Sequence, residues 1–439
     1  MQLGHGGHGP FSGEDFLKSP HGDDQRDVGL SITGHVRAAV GESGRVDGEL
    51  EGTTGVASSN ITNQDVVVLR FRFVFGLRFL HSFTSPEVGS SGTASITLTI
   101  IKASPNHVGY HSPYTSGAGG ENMRALVTGG AGFIGSHLID RLVARGDEVV
   151  VLDNLSSGHR SFIAEHLEAG NVELIEGDIC SMEDVSTAMG KGIDTVFHLA
   201  ANPDIRLGTR ITDTDLKQGT IATYNILEAM RVAGVQRIAF ASSSVVYGEG
   251  APLPTPETHG PCMPISLYGA SKQAGEGLVS SWVGTFGLQA WIFRFANVVG
   301  ARGTHGVIFD FIHKLKNDPS RLEVLGNGLQ EKSYMEVGDC VDAILHYMQH
   351  TNEPLNLCNL GSHDTASVRR IAEIVVEVTG CHDAVIEYTG GDRGWAGDIP
   401  KARLAIERML ESGFDVRMNS EAAIRHTAEC LLEEIGLEE

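Results

Sequence analysis

Residues 128–135 read Thr128-Gly129-Gly130-Ala131-Gly132-Phe133-Ile134-Gly135. They join a short β-branched run, Arg124–Thr128, to a helical stretch from about Phe133 to Arg145. Glycines at such a junction permit a tight turn, a close approach of the backbone to a pyrophosphate, and close packing of helix on strand. The helix N-terminus also offers unpaired N–H groups and the positive end of its dipole to phosphates. A glycine pattern alone is weak evidence, but here a strand precedes it and a helix follows it, as a dinucleotide site requires.

The same alternation of apolar runs and helical stretches continues beyond this turn. Further short runs cover residues 148–152, 172–175, 195–199, 237–241 and 290–295. Strands that alternate with helices form βαβ units, in which the strands are parallel and the helices cover both faces. The sequence therefore predicts an α/β fold built on a doubly wound parallel sheet of the Rossmann type, with ligands at the carboxyl ends of the strands.

Acidic residues follow the second and third of these runs. Asp153 ends the second strand, 18 residues after Gly135. A carboxylate there accepts hydrogen bonds from both hydroxyls of an adenosine ribose and repels a 2′-phosphate, which favours NAD over NADP. The alternative is a helix-capping Asp that precedes Asn154. Asp178, after the third run, could reach the adenine or could simply form a turn.

A tyrosine and a lysine four positions apart could carry the chemistry. In Tyr268-Gly269-Ala270-Ser271-Lys272 the two side chains share one helix face. A free phenol has a pKa of about 10, too high for a base at neutral pH, and we expect the nearby ammonium to lower it. Tyr268 could then exchange a proton with a substrate hydroxyl while a hydride moves to or from a cofactor. This spacing is common on helix surfaces, and it gains meaning only from the glycine turn and Asp153.

Three serines, Ser242, Ser243 and Ser244, follow the strand predicted over 237–241. They would lie at the carboxyl edge of the sheet, where ligands of α/β folds bind. One of the hydroxyls could share a hydrogen bond with the substrate oxygen that Tyr268 deprotonates. The alternative, that serines here only cap the loop, applies to some of the three.

Seven segments, in this order and spacing, resemble the extended short-chain dehydrogenase/reductase family: TGGAGFIGSHL, LDNLSSG, EGDI, HLAA, SSSVVYG, YGASK and RFANVVG. The branch they resemble most is that of NAD-dependent nucleotide-sugar epimerases and dehydratases, of the UDP-glucose 4-epimerase type. The resemblance covers Met123–Glu439. It implies an NAD-binding Rossmann domain over 123–301 and a smaller C-terminal α/β domain over 302–439, partly interleaved with the first, that binds the nucleotide sugar. It also implies a homodimer formed through two long helices, one of which carries Tyr268.

The resemblance further implies which residues hold the cofactor and which react. The reaction would use Tyr268, Lys272 and Ser243, which stands four residues before Tyr247, and it would need no metal. Dehydratases of the family follow their catalytic Ser or Thr with an Asp-Glu pair, where this chain has Ser244-Val245. The positions implied for NAD are Gly129, Gly132, Phe133, Ile134, Gly135, Asp153, Asn154, Asp178, Ile179, Leu199, Ala200, Ala201, Tyr268 and Lys272.

The C-terminal part of the family grips a nucleotide diphosphate, and this chain departs from the family there. Lys332 stands where the family carries a phosphate-binding Arg, so charge is kept but the bidentate fork is lost. Glu336 replaces a common His. Arg393 is a second candidate for the diphosphate, or it could pair with Asp392 or Asp398. By resemblance the nucleotide sugar would contact Ser243, Asn297, Lys332 and Arg393.

The expected reaction is epimerisation of a nucleotide sugar at C4. Tyr268 would remove the 4-hydroxyl proton while hydride passes from C4 to NAD. The 4-keto sugar would then rotate, and hydride would return to its other face. Asn202-Pro203-Asp204 departs from the family beside the cofactor and the sugar, so the ring preference is left open. The alternatives are a nucleotide-sugar reductase or another sugar-modifying enzyme of this family, and a non-catalytic NAD-binding regulator.

Composition excludes several other classes of protein. The chain has 439 residues and a formal net charge of −22, so its surface repels nucleic acid and anionic membranes. It contains no run of 18 apolar residues that would span a bilayer. Its six cysteines are scattered without a C-x-x-C pair, which argues against a disulfide scaffold and fits reduced thiols in a cytoplasm.

Residues 1–122 differ from the remainder of the chain. They hold 20 of the 55 glycines and 7 of the 19 histidines, and they read mostly as loop or disorder. Two alternating stretches, 70–75 and 95–100, predict short strands. The segment is either a small appended β module or a non-functional extension ahead of a start at Met123. Four histidines could bind metal, but their irregular spacing favours incidental histidines: His5, His8, His107 and His111.

Overall fold

The computed structural model describes residues 122–395 and 397–436, together with the backbone of short strands within the first 99 residues. The chain divides into two compact units, Met1–His111 and Ser112–Glu439. The predicted strand over 70–75 and the four histidines named above lie outside the described residues, whereas the one over 95–100 overlaps two of the short strands. The described backbone of the first unit forms antiparallel pairs of two-residue strands: Ser31–Ile32 with Leu98–Thr99, Ala39–Val40 with Val46–Asp47, and Ser58–Ser59 with Ala94–Ser95.

The second unit is organised by a seven-stranded sheet. Its strand order is β11-β6-β5-β4-β1-β2-β3, and every neighbouring pair is parallel. The predicted doubly wound sheet is therefore confirmed. The strands of this unit are β1 (Arg124–Thr128), β2 (Glu148–Asp153), β3 (Val172–Glu176), β4 (Thr195–His198), β5 (Arg237–Ser243), β6 (Gln289–Phe295), β7 (Asn297–Val299), β8 (Arg321–Val324), β9 (Glu331–Lys332), β10 (Tyr334–Glu336), β11 (Leu355–Leu360), β12 (Ala366–Ser367), β13 (Val385–Tyr388) and β14 (Lys401–Ala402).

Helices connect these strands and cover both faces of the sheet. In the described part of the chain, no helix is long and apolar enough to cross a bilayer. A π-helical segment, Leu216–Ile221, leads into α4. The α-helices are α1 (Phe133–Arg145), α2 (Ala164–Glu168), α3 (Met182–Met189), α4 (Ala222–Ala233), α5 (Leu267–Phe286), α6 (Val307–Asn317), α7 (Val337–His350), α8 (Val368–Val378), α9 (Glu407–Glu411) and α10 (Ser420–Ile435).

Successive residues of a central strand enter different cores. Ala125 and Val127 of β1 pack with Leu138 and Leu142 of α1 on one face of the sheet. Leu126 packs into a second core on the other face, with residues of α3 and α4. Because strands of a parallel sheet are buried on both faces, they appear in the sequence as continuous apolar runs rather than alternating ones.

The C-terminal part of the chain forms a smaller lobe, but it also completes the large sheet. Strand β11 pairs with β6 at the sheet edge, and α7 packs into the same core as α1. Helices α6, α8 and α10 enclose a third core with β8. The remaining strands form small sheets, which are β7 with β10, β8 with β13, and β12-β9-β14.

The predicted elements agree closely with those observed. Strand β1 and helix α1 begin and end at the predicted residues. Strand β5 runs two residues further than predicted, because Ser242 and Ser243 still pair with Arg294 and Phe295 of β6. Strand β4 ends at His198, one residue earlier than predicted. These small differences place the serines and the segment after β4 at one edge of the sheet.

Candidate active site

A cleft of about 820 Å³ lies at the carboxyl ends of the strands, between the sheet and the smaller lobe. Its described lining includes every site residue predicted from the sequence except Arg393. The glycine turn and Asp153 line one end, whereas Ser243, Tyr268 and Lys272 lie further along. Asn297 and Lys332 contribute from the smaller lobe. The fold therefore brings together residues that are up to about 200 positions apart.

The glycine turn has no room for side chains. Gly129 has a φ of +70°, and a Cβ there would lie 2.9 Å from the Cα of Ala200. A Cβ on Gly135 would lie 2.2 Å from the carbonyl oxygen of Gly129. Among the described residues, no side chain caps α1, whose N-cap is Gly132. The open backbone and the uncapped N–H groups at the cleft wall fit the pyrophosphate of a dinucleotide.

Asp153 ends β2 with its carboxylate in the cleft wall. The residue is 8% exposed. Its Oδ2 accepts a hydrogen bond from the Ala131 N–H at 3.0 Å, and its Oδ1 accepts one from the Leu155 N–H at 2.8 Å. Burial raises the pKa of this carboxyl, while the two N–H donors act to lower it. The helix-capping alternative is not observed, because the next helical segment begins at Arg160 with His159 as its N-cap. Asp153 instead forms a local turn with Leu155 and ties that turn to the glycine loop.

Two neighbouring polar residues make the same kind of local turn. Asp178 is exposed, and its Oδ1 accepts from the Cys180 N–H at 2.8 Å. Asn154 Oδ1 accepts from the Ser156 N–H at 3.1 Å. Both residues line the cleft. The turn-forming role of Asp178 is therefore present in the structure, and it leaves a carboxylate oxygen at the cleft wall for a ligand.

Tyr268 and Lys272 lie in the first two turns of α5. Ser266 caps this helix by accepting from the Gly269 N–H at 3.0 Å. Lys272 is 4% exposed, and its Nζ donates to the Ala241 carbonyl oxygen at 2.7 Å. The same Nζ lies 5.7 Å from the centroid of the Tyr268 ring. The sheet therefore fixes the ammonium between β5 and the phenol.

The pKa values of this pair shift in the direction set by burial. Burial raises the pKa of the Tyr268 phenol to about 12, and the charge of Asp215 adds to the rise. Burial lowers the pKa of the Lys272 ammonium to about 8, although Asp215 and Glu276 oppose that change. The prediction that Lys272 lowers the pKa of Tyr268 is therefore wrong for this structure. Burial removes water from both groups, and this desolvation changes the two pKa values more than the attraction between ammonium and phenolate does. The attraction is weak because the Lys272 ammonium donates to the Ala241 carbonyl oxygen and not to the phenol.

The three serines take different roles. Ser242 is buried, and its hydroxyl donates to Glu276 Oε1 at 2.5 Å. Glu276 also holds the buried Arg294 through a salt bridge of 2.6 Å. All three serines line the cleft, and Ser243 Oγ accepts a long hydrogen bond of 3.4 Å from the Val245 N–H. Ser242 is thus structural, and Ser243 keeps a weakly engaged hydroxyl beside the cleft.

The two predicted diphosphate residues lie in different surroundings. Lys332 lines the cleft, and its Nζ lies 2.6 Å from Asp398 Oδ1. Arg393 pairs with Glu249 and donates to the carbonyl oxygen of Asp398 at 3.0 Å. The alternative of carboxylate pairing is thus observed for Arg393, although its partner is Glu249 rather than the carboxylates of Asp392 or Asp398. Asn297 lines the cleft and donates to the Ser333 carbonyl oxygen at 3.2 Å.

Glu336 and Asp215 have roles that the sequence did not indicate. Glu336, which replaces a common His, accepts from the Asp339 N–H at 3.0 Å and caps α7. Asp215 is 1% exposed and accepts from the Asn202 amide at 3.0 Å. A carboxylate in a polar stretch such as Asp213–Asp215 gives no sequence signal of burial. Its proximity to Asn202, a residue already noted as a departure from the family, was the one available hint.

Several known proteins are similar to this chain in sequence or in structure. Residues 125–361 match the model of the NAD dependent epimerase/dehydratase family. A Methanocaldococcus jannaschii protein, provisionally named a UDP-glucose 4-epimerase, is 32% identical over 305 residues, which are 68% of this chain and 95% of that protein. UDP-glucuronic acid decarboxylase 1 of Arabidopsis thaliana is 30% identical over 311 residues, covering 66% of this chain and 68% of that one. A crystal structure of UDP-galactose 4-epimerase is 42% identical with a TM-score of 0.64, covering 72% of this chain and all of that one.

Proposed function

This chain belongs to the NAD-dependent epimerase/dehydratase family, and from that premise we propose that it epimerises a nucleotide sugar at C4 through a 4-keto intermediate. The sugar would be of the UDP-glucose or UDP-galactose type. The observation that carries the proposal is the convergence of Tyr268, Lys272 and Ser243 on one cleft with the glycine turn and Asp153. The predicted cofactor, NAD, is confirmed by the family to which the chain belongs.

The cofactor would lie with its pyrophosphate on the turn 129–135 and its adenosine ribose at Asp153. Both oxygens of Asp153 already accept from main-chain N–H groups, so its carboxylate is held in place before any ligand arrives. Bound NAD supplies the hydride acceptor and donor of the cycle. Leu199, Ala200 and Ala201, after β4, would line the nicotinamide side.

The residues of the chain would move the proton and orient the sugar. Because burial raises the pKa of Tyr268 to about 12, the neutral phenol is the resting form. Its phenolate form would accept the proton of the 4-hydroxyl while the C4–H bond breaks, and would return it when the C–H bond re-forms on the opposite face. Ser243 donates a hydrogen bond to the same oxygen and so fixes its position. Lys272, held by the Ala241 carbonyl, places a positive charge 5.7 Å from the Tyr268 ring and stabilises the phenolate in the transition state.

The residues after Ser243 argue against loss of water from the sugar. Ser244 and Val245 stand at the positions where family dehydratases carry an acid and a base. A 4-keto sugar formed here would therefore lack, at these two positions, the pair with which family dehydratases remove the neighbouring proton and hydroxyl. Reduction or decarboxylation of the sugar would also pass through Tyr268, so these reactions are the outcomes against which epimerisation must be tested.

The nucleotide diphosphate would extend towards the smaller lobe. Lys332 offers a cation and Asn297 an amide on that side of the cleft. Arg393 would reach the diphosphate only if its pairing with Glu249 gave way. We therefore assign the main diphosphate contact to Lys332, with Asn297 on a phosphate or sugar oxygen.

The assembly and location follow as further parts of the proposal. Apolar side chains are exposed along α4 and α5, among them Tyr224 at 43% and Phe286 at 45%. Pairing of these helices across a two-fold axis would cover them and give the expected homodimer. All six cysteines lie in the described residues, where each is a free thiol, in keeping with a reducing cytoplasm.

Product analysis on a panel of nucleotide sugars tests the reaction. The full-length protein would be incubated with NAD and UDP-glucose, UDP-galactose, UDP-glucuronic acid or the dTDP-linked sugars, and the products separated. Epimerisation gives a C4 epimer of unchanged mass, with no net consumption of NAD. A product that has lost carbon dioxide or water, or one formed only with added NADH, would replace this proposal by a decarboxylase, a dehydratase or a reductase.

A further inference from the structure

A buried carboxylate with an unused oxygen lies next to the catalytic helix. Asp215 is 1% exposed and stands immediately before the π-helical segment 216–221. Its Oδ1 accepts from the Asn202 amide, whereas its Oδ2 has no hydrogen-bond partner among the described residues. Leaving an acidic oxygen buried without a partner is costly. A buried charge that lowers the stability of the fold in this way is typical of a residue that serves the active site.

We propose that Asp215 is a positioning residue of this active site, which holds Asn202 and the first turn of the helix that carries Tyr268 and gives Tyr268 and Lys272 a buried negative neighbour. The proposal rests on the proposed function only for the reaction that these residues serve. Its geometric parts are the hydrogen bond to Asn202 and the packing against α5 through Gly208, and both are observed whatever the reaction is.

The first contact orients the segment after β4. Asn202 is 4% exposed and lines the cleft. Its amide group donates to Asp215 Oδ1 at 3.0 Å and to the Asp204 carbonyl oxygen at 2.9 Å, while its Oδ1 accepts from the Asp204 N–H at 3.1 Å. With all three bonds made, the Asn202 side chain has one orientation. Asp215 thereby fixes the cleft wall that faces the cofactor and sugar ends.

The second link is to the start of α5, and it runs through Gly208. A Cβ on Gly208 would lie 2.6 Å from Asp215 Oδ2 and 3.3 Å from the Cβ of Leu267. Gly208 is therefore packed between the carboxylate and the residue that immediately precedes Tyr268. The π-helical segment that follows Asp215 also touches α5, because a Cβ on Gly219 would lie 2.5 Å from Ser271 Oγ. A shift of Asp215 would therefore be passed to both turns that carry the catalytic pair.

The third contribution is electrostatic. The charged or titratable groups around Asp215 are Tyr268 and Lys272 on α5 and Asp204 on the segment after β4. Its negative charge raises the pKa of Tyr268 and also raises that of Lys272, which burial alone would lower further. Lys272 is also raised by Glu276 on its own helix, and its charge lowers the pKa of His198 at the end of β4. Asp215 thus helps to keep Lys272 an ammonium inside an apolar site.

Neutralising Asp215 tests this role without any knowledge of the sugar. Asp215→Asn keeps the shape of the side chain and removes the charge. The matched control is Asp213→Asn, which removes a charge two residues earlier, from an exposed carboxylate paired with Lys217 at 2.6 Å. Phenolate absorbance of the full-length, NAD-loaded protein would be followed up to pH 12, around the raised pKa of Tyr268, and the Tyr268→Phe form of each variant would be subtracted as its blank. We expect Asp215→Asn to hold about threefold more Tyr268 phenolate than the wild type at equal pH, which is about half a pKa unit, and Asp213→Asn to match the wild type.

The pH profile of turnover gives the second reading. If the chain epimerises a sugar, both limbs of the Asp215→Asn profile should move to lower pH, and Asp215→Glu, which keeps the charge, should restore their position even at reduced turnover. A variant that loses turnover equally at every pH and shows unchanged phenolate absorbance would reduce Asp215 to a structural residue and overturn the proposal. Should Asp215→Asn not fold, Asp215→Ser is the second neutral variant with the same expected shift. If no sugar is turned over, the proposed function fails while the phenolate reading still decides the role of Asp215.

Discussion

Lys332 Nζ lies 2.6 Å from Asp398 Oδ1, so the cation that faces the cleft already has a carboxylate partner. An ammonium has three N–H donors, and one such bond leaves two for a phosphate. Asp398 is held in turn, because its Oδ2 accepts from the Gly394 N–H at 3.1 Å. Asp398 thus holds the Lys332 ammonium in one position at the wall of the cleft, where the proposed diphosphate contact would be made.

Lys332→Gln should weaken binding of UDP. A hydrogen bond to a charged group contributes about 1.5–3 kcal/mol, so the dissociation constant should rise about tenfold or more. The control is Lys401→Gln on the paired strand β14, where the side chain is 63% exposed. Calorimetric titration of UDP into each NAD-loaded protein measures the difference. Equal affinities for the two variants would remove Lys332 from the diphosphate site.

Tyr268→Phe should abolish turnover and leave NAD in place. Loss of a positioned acid–base group costs about 10²–10⁴-fold in rate, while the glycine turn and Asp153 are untouched. If Tyr268 were only a packed helix residue, the same change would cost about 1 kcal/mol of stability and little activity. Rates on the true substrate, with the NAD content of the purified protein, separate the two cases. Near-normal turnover would refute the mechanism.

Lys272→Ala should reduce both turnover and NAD content. The change removes a buried cation, leaves the Ala241 carbonyl oxygen without its donor, and opens a cavity beside Phe240, whose ring centroid lies 5.3 Å from Nζ. Lys272→Met is the matched variant, since it fills the cavity but carries no charge. Turnover should be lost in both variants, and the melting temperature should fall more for the alanine. Restoration of turnover by methionine would show that the charge is unnecessary.

The protein should prefer NAD over NADP by at least about tenfold, or about 1.4 kcal/mol. The carboxylate of Asp153 would meet the 2′-phosphate of NADP, and both of its oxygens are already fixed by main-chain donors. Asp153→Asn should reduce the ratio of the NADP dissociation constant to the NAD dissociation constant. Glu176→Gln is the control. Glu176 lies opposite Asp153 in the neighbouring strand β3, and its side chain is exposed. Titration of both cofactors into cofactor-free protein measures the ratio, and equal wild-type affinities would contradict the assignment.

Acid should destabilise the fold through His198. Burial lowers the pKa of this histidine to about 3, from about 6.5 in an unfolded chain. Between these values the unfolded chain binds more protons, so the free energy of unfolding falls as the pH drops below about 6.5. Denaturant midpoints at pH 7 and pH 4.5 should therefore differ more for the wild type than for His198→Gln. His382→Gln, an exposed histidine, should keep the wild-type difference.

A chain that begins at Met123 should fold and bind NAD as the full chain does. Every residue of the proposed site lies beyond that point, and the cores of the second unit are built from residues within 125–431. Thermal melts with and without NAD, on both chains, measure the outcome. A shortened chain that is insoluble or loses NAD binding would assign a part of the core to residues 1–122.

Local patterns predicted most of the fold and the two ends of the cleft. Three features depend only on neighbours within one turn or one strand, and they can therefore be recognised in the sequence. They are the glycine turn, the position of Asp153 and the spacing of Tyr268 from Lys272. The pairing of Lys332 with Asp398 joins positions 66 residues apart, and it depends on the arrangement of β9 and β14. No local pattern encodes such a contact.

The predicted fall in the pKa of Tyr268 failed because it, too, depends on residues that are distant in the sequence. Spacing places Lys272 near Tyr268, but the degree of burial of each group depends on β5, α5 and the segment around Asp215 together. Desolvation then outweighs the attraction between the two groups. Asp215 itself lies in a polar stretch, Asp213-Thr214-Asp215, whose first carboxylate is exposed and whose last is buried. The difference in burial between Asp213 and Asp215 depends on the course of the backbone into the π-helical segment, which the sequence does not indicate.

The position of β11 in the sheet has a consequence for synthesis of the protein. The ribosome delivers β1 to β6 first, then the elements from β7 to α7, then Leu355–Leu360, and last the remainder of the smaller lobe from β12 to α10. Until that strand emerges, the edge of β6 is unpaired, and until α7 emerges, the apolar face beside α1 is open to water. A nascent chain in this state exposes the kind of surface that chaperones bind. The core beside α1 is completed later still, because Leu404, Ile406 and Met409 also pack into it. The nucleotide end is complete in sequence early, but it is fully packed only after these residues have been translated.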